Sequence, residues 1–246
     1  MRENIIALDV PAALRGVAQR LMSEPYSFET CPTFTIDSIF PQELYELTHK
    51  YWPSRDLFEP ISYGSTVAKG AYEGRHNLLL KDEVVQSLPE SIRVFWSYVA
   101  DWLNSTEFIQ SMVDKCYPVL SERFGDSLPG KRFFARSLLT FDDGPMALGP
   151  HTDAPSRAVA LLFYCPPDER AIEQGTSLYV PKNKAFCCPG GPHHDRSHFD
   201  LLRTVKFLPN RVFSFVKTDR SFHGIEPIKC DPSLRRMIVW KLITMN

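Results

Sequence analysis

From residue 132 onward the chain breaks into short runs: "RFFARSLLTF", "RAVALLFYC", "GTSLYVP", "LLRTVKFLP", "RVFSFVKT" and "RRMIVWKLIT". Each is rich in Val, Leu, Phe or Tyr and is bounded by Pro, Gly, Asp or Asn, which is how strands separated by turns read. The second half is therefore expected to form an antiparallel barrel or sandwich.

The first half carries helical punctuation instead. "DSIFPQELYELTHKYW" offers Asp37 or Ser38 as a cap and Pro41 near the first turn, and Leu44, Leu47 and Tyr51 recur at three and four residues. This predicts an amphipathic helix ending at Pro53. "PESIRVFWSYVADWLNSTEFIQSMVDKCYPVL" predicts two more, with Ile92, Phe95, Trp96, Val99 and Leu103 on one stripe and Phe108, Met112 and Cys116 on another. Asn104-Ser105-Thr106 breaks them, Ser105 or Thr106 capping the second. No internal repeat or low-complexity segment interrupts the chain.

The totals exclude several functions. In 246 residues, 28 Lys and Arg stand against 29 Asp and Glu, a net charge of -1, so no overall basic character marks a nucleic-acid or anionic-membrane partner. The N-terminal "MRENIIALDV" is interrupted by Glu3, Asn4 and Asp9, and no stretch approaches the ~20 apolar residues of a membrane-spanning helix. The six cysteines, at 31, 116, 165, 187, 188 and 230, are too few and irregular for a disulfide scaffold, so reduced thiols and a cytoplasmic location are expected.

Candidate chemistry lies in "GPHTDAPSR". In an extended segment residues i and i+2 project to one face, so His151 and Asp153 can offer an imidazole nitrogen and a carboxylate oxygen to a single ion. A third ligand has to come from another strand, and His223 in "SFHGIEPI" is the best candidate. Two histidines and one carboxylate on one face of an octahedral ion leave three positions open, the arrangement of non-haem Fe(II) oxygenases. Arg235, on the last run, has the fork geometry to hold a carboxylate by two parallel hydrogen bonds. Arg236 is the alternative; alternation favours Arg235, whose i+2 and i+4 neighbours are Met237 and Val239.

Together "HTD" at 151–153, "NRVFSFVKTDRSFHGIEPI" and "RRMIVW" resemble the 2-oxoglutarate- and Fe(II)-dependent dioxygenases, most closely the prolyl 4-hydroxylase-like branch, over roughly residues 132–244. The preceding helices resemble the support helices of bacterial members. The resemblance implies a double-stranded β-helix (jelly roll, cupin-like), mainly β within an α+β chain, as one domain over 1–246: a mainly helical support region at 1–131 and the jelly-roll core at 132–246. It implies Fe(II) on His151, Asp153 and His223, with 2-oxoglutarate as co-substrate and O2 as oxidant.

By the same resemblance Arg235 grips the distal carboxylate of 2-oxoglutarate and Tyr164 donates its phenol to it. Related halogenases lack the carboxylate ligand, so Asp153 points to hydroxylation. The sequence departs from many relatives at Val239, where they carry Thr. The expected substrate is a small molecule or an amino-acid unit, with no nucleic acid and no membrane partner; the oligomeric state stays open. A cupin-like metal enzyme of another type, such as an isomerase, and a non-catalytic binding protein are the alternatives.

Other polar residues have blander readings. "CCPGGPHHDRSH" at 187–198 holds Cys187, Cys188, His193, His194 and His198, but adjacent cysteines do not match the spacing of a tetrahedral zinc site, and a loop at the mouth, able to act as a lid, is the simpler expectation. Arg136, Arg157 and Arg220 read as exposed charges with pocket roles as the alternative. His49, Arg75 and His76 read as surface or capping residues, Arg75 with a substrate-facing alternative.

Overall fold

The computed structural model describes residues 8–61, 74–142, 146–228, 231 and 235–245. Cys230 and the Glu3–Asn4 interruption of the N-terminal run lie outside the described residues. Five α-helices, α1 (Val10–Ser23), α2 (Gln42–Lys50), α3 (Asp82–Gln86), α4 (Glu90–Asn104) and α5 (Thr106–Phe124), accompany twelve strands among the described residues. The strands are β1 (Ser27–Phe28), β2 (Pro32–Ile36), β3 (Glu59–Pro60), β4 (Arg75–Leu79), β5 (Arg132–Asp142), β6 (Leu148–His151), β7 (Arg157–Tyr164), β8 (Ser177–Pro181), β9 (Phe199–Thr204), β10 (Arg211–Val216), β11 (His223–Ile225) and β12 (Arg236–Met245).

They form an eight-stranded sheet in the order β1-β2-β10-β7-β12-β5-β4-β3 and a four-stranded sheet in the order β6-β11-β8-β9. From β5 on, the chain passes repeatedly between the sheets: β5, β7, β10 and β12 lie in the larger, β6, β8, β9 and β11 in the smaller. All recorded pairings are antiparallel. This alternation is the double-stranded β-helix, built here as two open sheets rather than the closed barrel that the strand pattern also allowed.

The two faces of the larger sheet divide the labour. On β12, Ile238, Trp240 and Leu242 pack into the large core shared with the helices, while Met237 and Val239 join the cluster between the sheets. Trp240 ties the layers together: its Nε1 donates to the Leu103 carbonyl of α4 at 2.6 Å, and its ring meets Phe108 of α5 edge-on at 5.2 Å. The helical stripes match their pattern, with Phe95, Trp96, Val99 and Leu103 buried on α4 and Phe108, Met112 and Cys116 on α5. Ser105 caps α5, accepting from Phe108 N–H at 3.1 Å.

Three local expectations need correction. Residues before 132 are not helical support alone, because β1 to β4 join the larger sheet, β2 pairing with β10 and β4 with β5. β2 is buried along nearly its whole length, so it shows no inside–outside alternation. The second helix starts at Gln42, not behind Asp37 or Ser38; Ser38 has φ 50 and its carbonyl accepts from Arg20. "LLRTVKFLP" leaves the sheet after Thr204, where Val205 and Phe207 turn into the inner cluster.

Among the described residues no helix is long and apolar enough to cross a membrane. Cys31, Cys116, Cys165, Cys187 and Cys188 are free thiols.

Candidate functional site

β6 and β11 lie side by side in the smaller sheet with His151 and His223 as directly paired residues. Paired residues project to the same side, so the two imidazoles face one another, their ring centroids 4.4 Å apart. Asp153 follows two residues after His151, and one donor atom from each of the three side chains lies within 4.8 Å of the other two. Gly224 makes this approach feasible: a Cβ there would lie 2.4 Å from the Leu148 carbonyl oxygen and 3.0 Å from that of Gly149. The His-Gly pair of the sequence thus has a steric cause.

Each imidazole is oriented by its own backbone. His151 Nδ1 lies 3.0 Å from the Gly149 carbonyl and His223 Nδ1 3.0 Å from that of Ser221. A carbonyl only accepts, so Nδ1 carries the proton in both rings and the Nε2 lone pair is left for a metal. Burial holds both histidines below the ordinary imidazole range, with His223 and His193 adding to the effect on His151. Burial works to raise Asp153, but the charge of Lys241 foremost outweighs it and holds its carboxyl well below the usual range. All three side chains are thus in the deprotonated forms that a divalent cation requires.

The triad borders a cavity of about 120 Å³ between the sheets. Its walls are apolar along Leu138, Ala160, Leu162, Phe215, Met237 and Val239. At the far end Asp142 is buried between two guanidiniums. Arg75 Nε and Nη2 contact its carboxylate at 2.7 and 2.9 Å, and Arg235 Nη1 at 2.8 Å. Burial would raise Asp142, but Arg75 and Arg235 hold its carboxyl below the ordinary range.

Arg235 also donates from Nε to the Gln174 carbonyl at 2.8 Å, and Nη2 has no partner among the described residues. Two further polar atoms of cavity-lining residues, Asn77 Oδ1 and Thr140 Oγ1, are buried without a hydrogen-bond partner. Such atoms are costly in an apolar setting and fit a polar ligand.

Arg235 lines this cavity, whereas Arg236 lies on the outer side, its guanidinium 5.8 Å from the centre of the Trp52 ring. Tyr164 departs from its expected placement. Its hydroxyl donates to Thr176 Oγ1 at 2.9 Å and accepts from Thr176 N–H at 3.2 Å, and its ring packs on Phe207 at 4.3 Å. The residue facing the cavity there is Thr176, with the phenol one layer behind. Gly175 lets that segment pass, since a Cβ would fall 1.6 Å from the Val205 carbonyl oxygen.

Three residues that pattern reading passed over or misjudged belong to the site. Arg75 is buried, not a surface charge. Asp142 ends β5 and gave no signal beyond an acidic residue after an apolar run. Lys241 lines the cavity with its Nζ 3.9 Å from Asp153 Oδ1. It continues the face of Arg235, Met237 and Val239, so strict period-two counting would have found it. Arg136 and Arg220 are exposed, as expected.

The segment 187–198 packs against the triad from outside. The His193 ring packs tilted against His151 at 4.3 Å between ring centroids, and Thr152 Oγ1 donates to the Cys188 carbonyl at 2.8 Å. Arg196 Nη2 donates to the carbonyls of Leu148 and Ile225 at 2.9 and 2.7 Å, spanning β6 and β11. Among the described residues its cysteines and histidines form no metal-holding cluster of their own.

No protein-family model and no curated protein matches this chain. Among solved structures it is similar to an oxidoreductase of the 2OG-Fe(II) oxygenase family from Burkholderia pseudomallei, with 12% identity, TM-score 0.46, and 96% of this chain and 88% of that one covered. A Pseudomonas putida prolyl-4-hydroxylase is similar at 10% identity and TM-score 0.47, with 96% and 98% covered. The non-haem α-ketoglutarate-dependent epimerase of nogalamycin biosynthesis is similar at 14% identity and TM-score 0.48, with 95% and 81% covered.

Proposed function

We propose that this chain is an Fe(II)- and 2-oxoglutarate-dependent oxygenase that hydroxylates a C–H bond of a small molecule or amino-acid unit, its helices and sheets acting as one domain. One observation carries the reading: two neutral imidazoles and one carboxylate converge at one part of a cavity whose opposite end presents a buried guanidinium. The donor set fits the metal. His151 Nε2, His223 Nε2 and the Asp153 carboxylate would hold one face of an octahedral ferrous ion and leave three positions for co-substrate and dioxygen.

When bound, ferrous ion with 2-oxoglutarate supplies oxidative decarboxylation of the co-substrate to succinate and CO2, coupled to insertion of one oxygen atom of O2 into substrate. The protein supplies binding and orientation. Arg235 is rigid, held by Asp142 and Gln174, and turns its unpartnered Nη2 to the distal carboxylate of the co-substrate. Asn77 and Thr140 offer further polar contacts, and Leu138, Leu162, Phe215 and Val239 keep water from the reacting centre.

Anaerobic addition of Fe(II) and 2-oxoglutarate is expected to give a visible charge-transfer band, and admission of O2 to give succinate. His223→Ala should abolish both. Arg235→Ala should raise the 2-oxoglutarate concentration needed for half the band by roughly 100-fold, the loss of about 3 kcal/mol from a buried, charge-assisted contact. A band of unchanged intensity and midpoint in both variants would sink the assignment.

A further inference from the structure

Lys241 is not used by the reading above. It stands on the cavity face of β12, six positions beyond Arg235, which at ~3.3 Å per residue separates their Cα atoms by ~20 Å. The two long cations therefore address one cavity from opposite ends. Arg235 closes the inner end with 1% of its side chain exposed, whereas Lys241 stands nearer solvent at 29%.

Arg235 is tied to Asp142 and Gln174, but Lys241 makes no hydrogen bond among the described residues. Its single ion-pair partner there is Asp153, at 3.9 Å, beyond hydrogen-bonding reach. A second observation points the same way. In the β12–β5 register Lys241 is directly opposite Arg136, a cross-strand pair of like charges on one face, and such pairs destabilise a sheet. Arg136 is exposed.

We propose that Lys241, with Arg136 beside it, is the anchor for a carboxylate on the substrate, so that the substrate class is a small organic acid or an amino-acid unit with its carboxylate free. This rests on the oxygenase reading and deepens it. A divalent metal on Asp153 would take up the carboxylate near Lys241, which leaves the Lys241 ammonium at the open end of the cavity with the exposed Arg136 paired beside it on β5. The incoming substrate meets that ammonium there, beside a donor atom of the triad, while the co-substrate occupies the Arg235 end. One ammonium inside a cavity of about 120 Å³ with apolar walls suits a carboxylate on a small molecule, the walls receiving the rest of it.

The test uses the full-length protein with Fe(II) and 2-oxoglutarate, and a panel of free amino acids and short aliphatic acids, each paired with its carboxamide. Succinate formation is read above the rate without panel member. Members with a free carboxylate should stimulate, and their amides should not. In Lys241→Met the preference for acid over amide should fall about tenfold or more, and Lys241→Arg should keep most of it. A lysine that merely steadies Asp153 would change rates without changing that preference.

Equal stimulation by acid and amide, stimulation by neither, or a preference unaltered in Lys241→Met would overturn the proposal. So would a rise in the KM for 2-oxoglutarate as large as the loss of preference, which would make Lys241 the co-substrate anchor. Absence of succinate under every condition would instead remove the oxygenase reading beneath it.

Discussion

The two sheets contribute differently to one site. The larger sheet contains the longest strands, β5 and β12, is backed by helices, and carries Arg75, Asp142, Arg235 and Lys241 on or beside its cavity face. The smaller has four strands, one of only three residues, and carries His151 and His223. Its outer support includes the 187–198 segment, with Arg196 spanning two of its strands. The larger sheet is stable through its own apolar burial. The smaller depends on close backbone packing at Gly224 and would gain most from a bound ion, because a ligand that binds the folded form adds its binding energy to stability.

The sharpest test of this contrast is on the larger sheet. Trp240→Ala removes a fully buried indole with its bond to Leu103 and its contact with Phe108, and should cost about 3–5 kcal/mol, lowering the denaturant midpoint of the whole chain in one transition. A variant that loses metal binding but keeps the global midpoint would contradict the division.

The next effect is on the smaller sheet. Gly224→Ala places a Cβ against the Leu148 carbonyl and should cost about 1–3 kcal/mol. Metal affinity should fall far more than global stability does, because β11 has to shift away from β6 and separate His223 from His151. Titration of Fe(II) or Mn(II) beside a denaturant melt compares the two. If stability is lost and affinity is retained, the metal site does not depend on that contact.

The smallest effect is on pH. His151 and His223 are neutral in the folded metal-free protein because burial lowers them from 6.5. As pH falls below about 6.5 the unfolded chain takes up protons that the folded chain does not, so stability should decline from that point downward and level off above it. Denaturant midpoints across that window should flatten when both histidines are replaced by Ala. A slope unchanged in that variant would assign the effect elsewhere.

Legibility in the sequence followed the range of the interactions involved. β5, β7, β10 and β12 were readable because an apolar run between turn residues needs no partner to be recognised. The helices α4 and α5 were readable from their stripes and the Ser105 cap. β1 to β4 were not, because they are only two to five residues long: β1 and β3 are exposed throughout and β2 is buried nearly throughout, which leaves no period to detect. Arg75 looked like a surface charge because its partner, Asp142, is 67 positions away. Tyr164 was matched to a role by analogy, and the fold turned its hydroxyl to Thr176.

The amino-acid sequence by itself determined the antiparallel class, the helical stripes, and the chemical types offered to a metal: an H-x-D pair and a later His-Gly. Local physics suffices for these, since side-chain periodicity, turn preference and steric size act within a few residues. Tertiary structure alone decided which atoms meet. It set His151 against His223 across two strands, buried Arg75 with Asp142, and brought Lys241 to Asp153. Those outcomes depend on strand register and on which sheet each strand joins, and both are settled only when the whole core packs.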